Sequence, residues 1–164
     1  VHGEQAALDV DAEALIARVN FYGWSRSGTR SLAEFFYNRL AAGEAIKGFT
    51  DAWFSPLLAT DLADVLVAML ENELQGVYHV LSRESTSKYE FGRRIARLFG
   101  YDEQVIEPVS IHEAGLRARR ASDLRLSTDK LAAALDTPLP GLTDGLVRWF
   151  AQYQNGYPAR VQAL

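Results

Sequence analysis

The sequence predicts an α/β fold built on parallel strands, and three observations carry that reading. Short apolar runs alternate along the chain with helical stripes of leucine, valine and phenylalanine, the pattern of right-handed βαβ units. The two clearest runs, residues 14–23 and 77–81, are apolar on both faces, as strands covered on both sides of a parallel sheet are. Helical stripes over residues 31–42 and 60–73 separate them.

Each element follows from its local pattern. The opening residues 1–8 read as the end of a helix, and the chain carries no initiator methionine. Residues 14–22 then form one strand, which Gly23 ends, and the polar residues 24–30 form a loop. Residues 31–42 carry Leu32, Phe35, Phe36 and Leu40 on one helical face, stopped by Gly43. Residues 46–54 hold one short strand and an irregular approach to Pro56, which disfavours helix before it. Residues 60–73 are the clearest helix, with Leu62, Val65, Leu66, Met69 and Leu70 in register and Asp61 at the positive end. A strand over 77–81 follows Gly76. Ser87 and Glu90 open the next helix as a capping box, Phe91, Ile95, Leu98 and Phe99 form its stripe, and Gly100 ends it. Residues 105–109 read as a short strand that Pro108 places at an edge. A short helix over 127–135 and a last helix over 143–154, burying Leu146, Trp149, Phe150 and Tyr153, complete the pattern, and the residues after Asn155-Gly156 fray.

Composition excludes several function classes. The 164 residues include no cysteine, which excludes a disulfide framework, a zinc ribbon and a thiol nucleophile. Seventeen basic residues stand against 21 acidic ones, a balance that argues against nucleic-acid partners. No apolar run reaches the roughly 20 residues that span a bilayer, so the expectation is a cytoplasmic protein with no membrane partner. The three histidines, His2, His79 and His112, are isolated, so no metal site is expected. Two central strands with five helices do not complete a sheet, because strands of this character need cover on both faces and neighbours at both edges. The chain therefore reads as the later part of a larger α/β protein. A missing N-terminal half or a second copy of the chain would cover the sheet edge.

Five local motifs occur in order: Gly3-Glu4; Arg18-Val19-Asn20-Phe21-Tyr22-Gly23; Asp51-Ala52-Trp53-Phe54-Ser55-Pro56 followed by Asp61-Leu62-Ala63; Gly76-Val77-Tyr78-His79-Val80; and Ala118-Arg119-Arg120-Ala121 followed by Leu126 and Lys130-Leu131. Together they resemble the C-terminal half of the extended short-chain dehydrogenase/reductase superfamily, in its dTDP-4-dehydrorhamnose reductase branch. There are departures: Ala121 stands where the family has proline, and Gly28-Thr29-Arg30-Ser31 stands where it has an Asn-Phe pair. The resemblance implies the C-terminal part of an NAD(P)-binding Rossmann-like fold with a small α+β substrate-binding subdomain. Residues 1–164 would be the substrate-binding half, with the N-terminal dinucleotide-binding half absent. It implies a parent in nucleotide-sugar metabolism, on the dTDP-rhamnose route, that transfers hydride from NAD(P)H to a keto-sugar. A nucleotide-sugar epimerase or dehydratase of the same superfamily remains an alternative, as does a non-catalytic regulatory protein like the subunit that regulates methionine adenosyltransferase.

No catalytic residue is assigned within the chain. The family's Tyr-x-x-x-Lys pair and Gly-rich fingerprint are not in the sequence; Tyr22 has Arg26 and Tyr89 has Arg93 at the lysine position. The parent would be an enzyme, and the 164 residues alone would be inactive. The expected cofactor side is Asn20, Phe21 and Tyr22, at a strand end where open α/β sheets bind ligands, acting largely through backbone. The expected substrate side is Trp53, Ser55 and Arg120. Trp53 offers an aromatic face, and Arg120, in a loop with Arg117, Arg119 and Arg125, offers the donor fork that suits a diphosphate. Asp61 reads as a helix N-terminal carboxylate rather than a base, His79 as a satisfied strand histidine, and Arg93, Arg94 and Arg97 as the wet face of their helix.

Overall fold

A computed structural model describes residues 2–113 and 121–164. In chain order it comprises α1 (His2–Val10), β1 (Leu15–Val19), β2 (Phe21–Tyr22), α2 (Leu32–Ala41), β3 (Ile46–Phe49), β4 (Trp53–Phe54), β5 (Leu57–Leu58), α3 (Ala59–Glu71), β6 (Gly76–Val80), β7 (Thr86–Ser87), α4 (Lys88–Phe99), β8 (Ile106–Val109), β9 (Asp123–Leu124), α5 (Asp129–Ala134), α6 (Leu142–Gln154) and α7 (Tyr157–Gln162). The fold is mixed α/β with parallel pairing. β1 pairs with β6 in the register Leu15–Gly76 to Val19–Val80, β2 with β5 and β3 with β8. β4 lies between β7, antiparallel, and β9, parallel.

The run 14–22 departs from the single strand expected of it. Asn20 interrupts it, and the chain changes neighbours there. β1 runs beside β6, and then the Asn20 carbonyl accepts from the Leu57 N–H at 2.9 Å and leads β2 along β5. Burial follows the break rather than the composition, since Val19 and Phe21 are exposed while Tyr22 is buried. In the helices, the stripes are narrower than the apolar residues suggest. Phe35 on α2, Leu70 on α3 and Tyr153 on α6 are exposed. Residues 157–162 are helical rather than frayed, because Gly156 takes φ +68° and Pro158 in the first turn of α7 suits a helix start.

Two cores hold these elements. Leu57, Leu62, Val65, Met69, Tyr78, Val80, Leu131 and Leu139 pack α3 and α5 against the β1–β6 pair. The larger core gathers Tyr22, Phe36, Phe54, Phe91, Leu146 and Trp149 between α2, α4 and α6. Its aromatic rings meet largely edge to face, with Tyr22 and Phe54 centred 5.4 and 5.3 Å from Phe91, an arrangement that adds to simple area burial. α2 and α4 approach closely because α4 carries Gly92 there; a Cβ at that position would overlap the Phe36 ring. Arg148 on α6 grips the buried Asp61 of α3 with both arms of its guanidinium. The Asp61 carboxylate thus ties two helices together as well as facing a helix N-terminus.

The outer edge of β6 is closed by the segment leading into α5. Lys130 Nζ donates to the Val77 carbonyl at 2.8 Å, and the His79 ring sits between the Ser127 carbonyl, 2.9 Å from Nδ1, and Arg18 Nη1, 3.2 Å from Nε2. Arg18 can only donate, so Nε2 accepts and Nδ1 carries the proton toward Ser127. His79 is a satisfied strand histidine.

Phe91 on α4 meets the rings of Phe36 on α2, Tyr22 on β2 and Phe54 on β4, and is fully buried. Phe91→Ala is expected to cost about 3–5 kcal/mol of unfolding free energy, measured by urea denaturation, whereas Val67→Ala on the exposed face of α3 stays within about 0.5 kcal/mol.

Candidate functional site

A cleft of about 390 Å³ opens beside β2 and the start of α2, within the size range of small-molecule sites. Asn20, Phe21 and Tyr22 form one side; Thr29, Arg30, Ser31, Leu32 and Phe35 form another; Phe54, Lys88 and Leu124 complete it. It lies where β2 ends and its connection to α2 begins, the position that ligands of open α/β sheets occupy. Among the described lining residues the charged side chains are Arg30 and Lys88 and none is acidic. Phe21, Phe35 and Leu124 are exposed and give the cleft an apolar lip.

The wall formed by residues 24–31 is organised by a carboxylate. Glu34, fully buried, accepts hydrogen bonds from Ser25 N at 2.6 Å, from Ser25 Oγ at 2.8 Å and from Ser31 N at 3.0 Å. Ser31 Oγ accepts from Glu34 N and donates to the Gly23 carbonyl at 2.8 Å. This is the complete capping box of the molecule's α2. At α4 only the Ser87 half forms, because Glu90 turns its carboxylate to Arg97 at 3.1 Å. The base of the loop is further pinned by Trp24, which stacks on Trp149 with ring centroids 4.4 Å apart and donates through Nε1 to the Trp149 carbonyl.

The residues expected from the sequence divide in space. Asn20, Phe21 and Tyr22 line the cleft together, but the Tyr22 ring runs back into the core against Phe91 and Trp149. Burial pushes its phenol far above the usual tyrosine range, so it stays protonated at any working pH. Trp53 does not line this cleft. Successive strand residues face opposite ways, and it is Phe54 that turns inward. Trp53 lies beneath Arg125, whose guanidinium carbon is 5.0 Å from its ring centroid and which is paired with Asp123. Ser55 is buried, and its carbonyl accepts from Ser82 N. Arg120, with Arg117 and Arg119, lies outside the described residues. The Trp53 N–H nonetheless reaches the Ser122 carbonyl at 2.8 Å, two residues further on. Arg93, Arg94 and Arg97 form an ion-pair network with Glu84, Glu90 and Glu103.

Thr29, Arg30 and Lys88 are cleft residues that sequence reasoning missed. The available signal was Ser31-Leu32-Ala33-Glu34, a capping-box spacing that marks the start of a helix directly after a strand and loop. No group of metal ligands occurs among the described residues, and no described helix is long and apolar enough to cross a membrane.

Comparison with known proteins gives a consistent match. The sequence profile of the RmlD substrate binding domain matches residues 1–155. A probable low-salt glycan biosynthesis reductase of Haloferax volcanii is 29% identical over 156 residues, covering 93% of this chain and 52% of that protein. Two solved structures are similar in fold. A dTDP-4-dehydrorhamnose reductase of Clostridium acetobutylicum has TM-score 0.82 at 20% identity, covering 93% of this chain and 53% of the other. One of Bacillus anthracis, in complex with NADP, has TM-score 0.77 at 24% identity, covering 92% and 52%. The chain spans about half the length of the curated relatives it matches.

Two outcomes follow from the local electrostatics. Glu34→Gln places an amide NH₂ against groups that themselves donate, and is expected to cost about 1.5–3 kcal/mol, the scale of hydrogen bonds to a charged group, in chemical denaturation. Asp51, which accepts from Ile111 N at 2.8 Å and Ser110 Oγ at 2.6 Å, is held below the ordinary carboxylate range first by the Ile111 N–H and then by the Ser110 hydroxyl. Its contribution to stability is present above the ordinary carboxylate pKa of about 4 and is lost as pH falls through the lower folded value. Asp51→Asn is therefore expected to flatten the acid limb of the stability profile and to leave its shape unchanged near neutrality, in urea titrations across pH.

Proposed function

The chain belongs to the family of RmlD substrate binding domains, and from that premise we propose that it is the substrate-binding portion of an NAD(P)-dependent nucleotide-sugar reductase of the dTDP-4-dehydrorhamnose reductase type. The observation that carries the reading is the cleft beside β2, with a strand end on one side, Arg30 and Lys88 as its cations and an apolar lip of Phe21, Phe35 and Leu124. Two cationic side chains in the lining suit a diphosphate, and exposed rings suit the planar faces of a base or a nicotinamide.

In this reading Asn20, Phe21 and Tyr22 meet the cofactor. Phe21 fits that role through its exposed ring, Asn20 through its polar side chain, and Tyr22 through its backbone, since its phenol is turned into the core. NAD(P)H supplies the hydride when bound. Trp53, Ser55 and Arg120 belong to the substrate side. Trp53 and Ser55 flank Phe54, which lines the cleft, and fit that side by supporting it. The whole unit is residues 1–164, acting with a dinucleotide-binding half. The sequence holds no Tyr-x-x-x-Lys pair, so the 164 residues bind nucleotide-sugar but do not turn it over unaided.

The test is titration calorimetry with dTDP and a dTDP-linked sugar, with NADPH oxidation followed in parallel. Binding by the chain without turnover is expected, and Arg120→Ala should weaken it by about 1.5–3 kcal/mol. Turnover by the 164 residues alone, or no affinity for any nucleoside diphosphate, would refute the reading.

A further inference from the structure

Residues 156–164 lie beyond the stretch that matches the family, yet they return to the loop that walls the cleft. Gly156, with φ +68°, reverses the chain after α6, and Tyr157, Pro158 and Val161 are half-buried. The amide of Gln162 then covers Gly28 so closely that a Cβ on Gly28 would stand 2.8 Å from Gln162 Nε2. Gly28, also at φ +68°, is the tip of the loop. Its N–H donates to the Ser25 carbonyl at 3.0 Å and its carbonyl accepts from Asn38 Nδ2 at 2.8 Å. Thr29 and Arg30, the next two residues, line the cleft.

The two ends of the loop are held independently of α7. Trp24 stacks on Trp149 at one end, and Ser31 caps α2 at the other. The tip has Asn38 below it and Gln162 above it. We infer that Gln162 is a positioning residue: by packing over Gly28 it fixes the loop tip, and through it sets where Thr29 and Arg30 stand at the cleft. Its effect on ligand affinity rests on the function proposed above; its effect on the loop does not. The contact is one of packing, so a side chain of the same length and shape replaces it.

The experiment is hydrogen exchange on the full 164-residue chain, comparing the parent sequence with Gln162→Ala and Gln162→Met, together with dTDP titration. In Gln162→Ala the amides of residues 25–31 are expected to exchange about tenfold faster, a local opening cheaper by about 1.4 kcal/mol, while those of α2 and α4 are unchanged. Gln162→Met is expected to restore the protection. dTDP affinity is expected to fall severalfold in the alanine variant and to return in the methionine variant. Unchanged exchange over residues 25–31 overturns the inference, as does a rise shared equally by α2 and α4, or a faster loop with unaltered dTDP affinity. If the parent chain binds no dTDP, the proposed function falls, and the exchange data alone decide the role of Gln162.

Discussion

The cleft wall depends on one enclosed charge. Removing a carboxylate from water is expensive unless strong donors surround it, and Glu34 meets that condition with the Ser25 N–H, the Ser25 hydroxyl and the Ser31 N–H. These donors belong to the two ends of a loop, so satisfying the charge closes the loop. The same carboxylate occupies the positive end of α2, a place where a free anion would otherwise be favoured. The molecule has filled its own helix terminus from within, and the cationic side chains in the cleft lining are Arg30 and Lys88.

A second constraint joins the cleft to the rest of the fold. Tyr22 contributes to the cleft and at the same time fills the centre of the larger core, against Phe91 and Trp149. Its hydroxyl lies over Gly145 on α6, where a Cβ would come within 2.8 Å. One turn further along α6, Arg148 holds Asp61 at the head of α3, and α3 follows directly on β5, the partner of β2. Strand, cleft and helices are therefore coupled through side chains within a single turn of α6.

Much of the architecture was legible in the residues. The stripes of α3 and α4, the αL glycine that ends α4, and the two runs that become β1–β2 and β6 follow from local periodicity and turn chemistry. What local pattern misses is partner choice. Nothing in the run 14–22 marks Asn20 as the point where one neighbour is exchanged for another, because the break is set by where β6 ends and β5 begins. Nor does composition separate Phe35 from Phe36, or Trp53 from Phe54. In each pair one ring is exposed and the other buried, a choice made by packing partners distant in sequence. The same limit applied to the site. Asn20 and Phe21 were reachable from strand-end logic, whereas Lys88 joins them only because the fold brings the start of α4 beside β2.

The closure of β6 by Lys130 and His79 gives the β1–β6 pair a direction. A strand edge is a template for another chain unless it is blocked. On the β6 side the Val77 carbonyl is already occupied by an ammonium, and the Ser127–Lys130 segment lies across the approach. A two-stranded pair blocked on its β6 side is not a template through both edges, so it does not polymerise through both.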